Sequence, residues 1–152
     1  MVNKAEFYQN LSSQIASLIL DETDLIANMA NVSALLYNQL PDVSWVGFYR
    51  LIDNELVLGP FQGQVACIRI PLGKGVCGTA AFTGVTQRIG NVHEFAGHIA
   101  CDSSSNAEIV IPVKLGNGIM AVLDIDSTCF DRFDLEDQIE LENIVKLLVT
   151  TL

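Results

Sequence analysis

Cations are scarce in this sequence. Eight Lys and Arg stand against 18 Asp and Glu, for a formal net charge of −10, and nowhere do the basic residues cluster. Binding along a phosphate backbone needs several clustered cations, so nucleic acid and anionic membrane surfaces are poor candidates as partners. Long apolar runs are missing too. No stretch approaches the roughly 18 residues of a membrane span. The opening segment interleaves Asn3, Lys4, Glu6, Gln9 and Asn10 with apolar positions, unlike the apolar core of a signal peptide. The expected compartment is therefore the cytoplasm. The sequence also lacks internal repeats, low-complexity tracts and linkers. No tight Cys-x-x-Cys pair occurs, and His98-x-x-Cys101 would be half a metal site without its second half, so no metal is expected.

What remains is a chain of 152 residues, half of them hydrophobic. That length fits one domain covering 1–152, able to bury roughly two-thirds of its unfolded surface without staples. The apolar excess implies a further buried surface and points to a homodimer.

The periodicity divides the chain. Phe7, Leu11, Ile15, Leu18 and Ile19 recur at helical spacing, as do Leu25, Met29, Val32, Leu36 and Leu40. Asp21 and Thr23 are the capping candidates of the second helix, and Pro41 ends it. The pattern then changes to strands: Trp45–Ile52, a turn at Asp53-Asn54, Glu55–Leu58, and Cys67–Pro71. Gly73 to Phe82 reads as a glycine turn entering a short helix closed by Gly84, followed by a short strand at Gln87–Ile89. Residues 91–107 have no clean period, and a loop this long in a compact domain is usually functional or mobile. Glu108–Val113 and Ile119–Ile125 form a hairpin turning through Gly116-Asn117-Gly118. Asp134 caps a last helix with Leu135, Ile139, Ile144 and Leu148 on its apolar face. This order implies an α+β fold: an antiparallel sheet, long helices on one face, the loop and a pocket on the other.

Four cysteines in a reducing compartment are either small buried hydrophobes or redox groups. Position favours the second reading. Cys101 lies in the polar loop, where a thiolate can form, and Cys77 stands near a helix start, where the dipole lowers a thiol pKa. Asp124 and Asp126 leave the same face of one strand, and Glu108 lies on its hairpin partner. Such carboxylates are either solvated strand ends or a pocket floor that holds an ammonium group or keeps one carboxyl protonated. Trp45 and Tyr49 share a strand face, as core or as the aromatic wall of a pocket. His93 and His98 read as loop histidines, although His98 is close enough in sequence to influence Cys101.

Several motifs occur together: Trp45-Val-Gly-Phe-Tyr49, Gly63-Gln-Val-Ala-Cys67, Gly73-Lys-Gly-Val-Cys77-Gly-Thr-Ala80, Gly97-His-Ile-Ala-Cys101-Asp102, Glu108-Ile-Val-Ile-Pro112 and Leu123-Asp-Ile-Asp126. Taken together they resemble the free methionine-(R)-sulfoxide reductases, small enzymes built on a single GAF domain. The resemblance covers essentially the whole chain. It implies a GAF-like six-stranded antiparallel sheet with helices mainly on one face, usually as a homodimer. It also implies reduction of free methionine-(R)-sulfoxide with no metal or organic cofactor, and with thioredoxin or a similar dithiol as reductant. Cys101 matches the nucleophile and Cys67 the resolving cysteine that forms the disulfide. Cys77 matches a third motif cysteine, open to service as an alternative resolver. Glu108, Asp124 and Asp126 match acidic pocket residues, and Trp45 and Tyr49 the aromatic wall. Cys129 matches no catalytic motif and reads as structural. The competing readings are a non-catalytic GAF-type small-molecule sensor, which normally sits beside an output domain, and a redox-responsive partner protein.

Overall fold

The computed structural model describes residues 2–99, 101 and 103–152. Two long helices open the fold, α1 (Lys4–Ile19) and α2 (Leu25–Gln39). Asn3 caps α1 by accepting from Glu6 N–H at 2.8 Å. Asp24 caps α2, accepting from Ala27 N–H at 2.9 Å, so neither Asp21 nor Thr23 is the cap. Asp21 instead takes a positive φ of 61° in the turn that leaves α1.

A hairpin follows, β1 (Trp45–Ile52) and β2 (Glu55–Gln62). Its central residues Asp53 and Asn54 both have positive φ, which Asp and Asn tolerate and two-residue hairpin turns require. β2 runs four residues beyond the Leu58 expected from sequence. Its Gly59-Pro60 step falls where the register with β1 shifts between Gly47 and Tyr49, so the proline has no ladder bond to lose. β3 is only Arg69–Pro71, leaving Cys67 outside the strand, and α3 spans Gly75–Thr83 with Gly84 as its left-handed cap. After β4 (Gln87–Ile89) and a single 3-10 turn at Val92–Glu94 come β5 (Ala107–Leu115), β6 (Gly118–Ser127) and α4 (Leu135–Val149). Gly118 pairs with Leu115 inside the ladder, so the turn is Gly116-Asn117 alone.

The six strands form one antiparallel sheet in the order β3-β2-β1-β6-β5-β4. Alternation along the central strands sends Val46, Phe48, Ile109, Ile111, Leu123 and Ile125 to one face, into a cluster with residues of α1, α2 and α4. The opposite residues Trp45, Tyr49, Val110 and Val122 pack with α3. The long helices thus share one face, and the short helix stands on the other. Two helix faces differ from expectation. α1 buries Tyr8 in place of Leu18, and Leu135 and Ile139 of α4 are exposed while Asp137 and Leu141 are buried. The reason is a capping box. Asp137 and Asp134 each accept the other's backbone N–H at 2.9 Å, which turns Asp137 inward to accept from Tyr8 Oη at 2.6 Å and Lys4 Nζ at 2.8 Å. No helix among the described residues is long and apolar enough to cross a membrane.

Candidate active site

The face that carries α3 also carries the acids. The register sets Glu108 opposite Asp126 and Val110 opposite Asp124. On the other side of β6, Gly47 pairs with Asp124 and Trp45 with Asp126. Strand alternation therefore puts Trp45, Tyr49, Glu108, Asp124 and Asp126 on a single face. Gly47 is required there. A Cβ at this position would collide with Phe61 Cβ and come within 2.7 Å of the Trp45 ring. Its absence lets Trp45 stack between Phe61, at a 5.3 Å centroid separation, and Tyr49, at 6.0 Å.

These aromatics position the backbone after β2. Trp45 Nε1 donates to the carbonyl of Gln64 at 3.0 Å, and Tyr49 Oη donates to that of Cys67 at 2.9 Å. Cys67, so held, is joined to Cys101 by a disulfide with a Cα–Cα distance of 5.4 Å. Cys77 and Cys129 are free thiols, the first buried and the second exposed. The reading of all four as reduced hydrophobes fails at Cys67 and Cys101. Ala100 and Asp102, within the Cys101 motif, lie outside the described residues.

A cavity of about 40 Å³ is lined by Trp45, Tyr49, Cys77, Cys101, Glu108, Asp124 and Asp126. Every site residue singled out in the sequence borders it except Cys67, whose disulfide partner does. Cys77 Sγ lies 3.9 Å from Glu108 Oε2, and His98 Nε2 lies 3.9 Å from Glu108 Oε1. His98 thus faces the acid floor. Sequence reasoning missed Ser105, Lys74 and Ile99, which also line the cavity. Ser105 lies between Cys101 and Glu108 in the chain, and that proximity was the one available signal.

Burial dominates the electrostatics. Glu108 and Asp124 are almost wholly buried, and desolvation pushes both carboxyls well above the ordinary range, with each raised further by an acidic neighbour. Glu108 feels Asp124, and Asp124 feels Asp126. The helix-start argument for Cys77 fails for the same reason. Burial first, then the charges of Asp124 and Glu108, push its thiol pKa up rather than down. Desolvation lowers His98, which favours the neutral imidazole. Asp124 Oδ1 and Ser105 Oγ are buried with no hydrogen-bond partner among the described residues. Unpaired polar atoms of this kind are costly unless a ligand meets them.

The arrangement is thus a disulfide beside an acid-floored, aromatic-walled cavity. A GAF domain model matches residues 9–152. The free methionine-R-sulfoxide reductase of Escherichia coli K12 is 54% identical over 99% of this chain and 93% of that protein. The chain belongs to the free methionine-R-sulfoxide reductase family of GAF domains. Among solved structures of the family, fRMsr of Staphylococcus aureus in its reduced form is 53% identical with a TM-score of 0.93. It covers 95% of this chain, which in turn covers 94% of it. The Neisseria meningitidis free methionine-R-sulfoxide reductase, solved in complex with its substrate, is 42% identical with a TM-score of 0.95, over 99% of this chain and 91% of that one.

Proposed function

We propose that this protein reduces free methionine-(R)-sulfoxide to methionine through cysteine sulfenic acid and disulfide chemistry, repairing oxidised free methionine. The observation that carries the reading is the Cys67–Cys101 disulfide beside the buried Glu108 and Asp124. A sensor needs neither a redox pair nor protonated carboxyls in its pocket, so that reading is not favoured.

In the reduced enzyme the Cys101 thiolate attacks the electrophilic sulfoxide sulfur. The sulfur–oxygen bond breaks as the oxygen is protonated by the buried, neutral Glu108 carboxyl, with the half-buried Asp126 as the second candidate donor. The oxygen departs as water, leaving Cys101 bonded to the methionine sulfur as a sulfonium. Water then attacks the Cys101 sulfur, the sulfur–sulfur bond breaks, methionine leaves reduced by two electrons, and Cys101 becomes a sulfenic acid. The Cys67 thiol then attacks the sulfenic sulfur and expels water, giving the disulfide. Cys77, buried and free beside Glu108, is the reserve resolver. An external dithiol of the thioredoxin type returns both cysteines to thiols. No metal or organic cofactor takes part in these steps.

Recognition follows from charge and shape. Asp124 and Asp126, with Glu108, read the α-ammonium group, and the unpartnered Asp124 Oδ1 is an acceptor aimed for it. Trp45 and Tyr49 wall the methylthio end. The substrate carboxylate meets Lys74 and the first turn of α3, which has no side-chain cap on its N–H groups. The chain acts as one domain in the cytoplasm, and as a homodimer whose second copy covers the exposed Phe82, Phe130 or Leu135.

A reductant-coupled assay comparing free methionine-R-sulfoxide, its S epimer and an N-acetylated, C-amidated R-sulfoxide tests this reading. Removing the ammonium leaves buried carboxylates unpaired, at a cost of about 3 kcal/mol or more, so the free R form should be preferred at least about a hundredfold. Equal turnover of the blocked compound would refute recognition of the free amino acid.

A further inference from the structure

The disulfide leaves Cys77 outside the redox pair, yet buried against carboxylates. Among the described residues, Cys77, Glu108 and Asp124 each place one donor atom within 4.8 Å of the other two. His98 Nε2 stands outside this set, 3.9 Å from the other Glu108 oxygen, Oε1. A tetrahedral zinc ion, with bonds of about 2.3 Å to sulfur and about 2.1 Å to oxygen and nitrogen, sets its donors about 3.3–3.7 Å apart. Shifts of under about 1 Å at the ends of Cys77, Glu108 and Asp124 would bring these three donors to that geometry.

An independent observation also points to a cation. Asp124 Oδ1 is buried and lacks any hydrogen-bond partner among the described residues. It borders a cavity of about 40 Å³, room for one ion with a water or two. A buried carboxyl oxygen without a hydrogen-bond partner is costly, and a metal ion removes that cost. The donor chemistry selects the ion. A thiol with two carboxyl groups suits zinc and its neighbours, whereas magnesium and calcium prefer oxygen alone.

We propose that the disulfide form of the protein binds one zinc-class divalent cation through Cys77 Sγ, Glu108 and Asp124, with water as fourth ligand, and that this ion excludes the substrate's ammonium group. The exclusion rests on the ammonium reading of the acid floor given above; the site itself does not. Binding is not a redox step. The cation replaces the Cys77 thiol proton, which leaves to solvent, and it displaces any proton held by the carboxyls.

Cobalt(II) is the probe. In the disulfide form only Cys77 and Cys129 can supply a thiolate. A one-to-one titration should raise thiolate-to-cobalt charge-transfer absorption that zinc then bleaches. The band should persist in Cys129→Ser and vanish in Cys77→Ser. Glu108→Gln and Asp124→Asn should each weaken binding by more than about tenfold. No band in the parent, or a band lost in Cys129→Ser and kept in Cys77→Ser, would overturn the site. Should Cys77→Ser not fold, anomalous diffraction from zinc-soaked crystals of the disulfide form decides with the parent alone. A peak bonded to Cys77 Sγ supports the site, and a peak only elsewhere, or none, overturns it. Saturating free methionine should weaken cobalt binding at least tenfold. Cobalt binding indifferent to methionine would overturn the exclusion, while a Cys77-dependent band would still support the site.

Discussion

Tyr49 Oη donates to the backbone carbonyl of Cys67 at 2.9 Å, so one wall of the cavity fixes half of the disulfide. The neighbouring Trp45 bond to Gln64 repeats the device three residues earlier in the same segment. Strand β1 is rigid, being paired on both sides, and it lends that rigidity to a stretch with no ladder of its own.

Tyr49→Phe keeps the ring and deletes that bond, at a cost of about 1 kcal/mol. The expected result is separable by step. Release of the first methionine stays close to the parent, while closure of the Cys67–Cys101 disulfide slows. A sulfenic-acid trap should label more Cys101 in the variant than in the parent. Equal labelling would mean the bond does not position Cys67.

The acid floor predicts an unusual pH dependence of stability. Glu108 and Asp124 are held neutral in the folded protein to higher pH than in the unfolded chain, so the native state binds more protons above about pH 4. Their contribution is present below the unfolded pKa and is lost as pH rises towards the folded values. Glu108→Gln removes one such group while keeping its shape. Urea unfolding should show the variant gaining on the parent between pH 5 and pH 8. A gain that is flat with pH would contradict the assignment.

The opposite face offers a contrast. Asp137 is buried and accepts from Tyr8, Lys4 and Arg132, tying α4 to α1 and to the segment before α4. Asp137→Ala strands the buried Tyr8 hydroxyl, takes one acceptor from Lys4 and from Arg132, and breaks the capping box, so thermal or urea unfolding should show a loss of about 3 kcal/mol. Tyr8→Phe should cost about 1–2 kcal/mol. Nearby Asp134 is lowered to about 2, chiefly by the Asp137 backbone N–H and then by Lys4. Its contribution is therefore present above about pH 4 and fades as pH falls towards 2. Sulfoxide turnover by Tyr8→Phe should match the parent, because the cavity lies across the sheet.

Much of this was legible before any coordinates. Alternation alone placed Asp124, Asp126, Trp45 and Tyr49 on shared strand faces, and Asp53-Asn54 marked the hairpin turn. The link between Cys67 and Cys101 was not. It spans 34 residues, from the start of a segment read as a strand to a loop without period, and only the family resemblance supplied it. Local rules failed where tertiary contacts outweighed them. Leu135 and Ile139 carry the apolar spacing of a buried face, yet the capping box turns Asp137 inward instead. Cys77 sits in a first helical turn, yet burial among carboxylates reverses the dipole's effect on its thiol. For His98 and Ser105 the only signal was proximity to Cys101 in the chain, because a loop has no period from which direction can be read.

The most direct measurement is a single turnover with reduced protein and free methionine-(R)-sulfoxide, in the absence of external reductant. The account predicts about one methionine per chain, with peptide mapping that finds Cys67 joined to Cys101. Cys101→Ser should release none, and Cys129→Ser should behave as the parent. Substantial methionine release by Cys101→Ser, or a parent disulfide that joins Cys77 to Cys101, would contradict it.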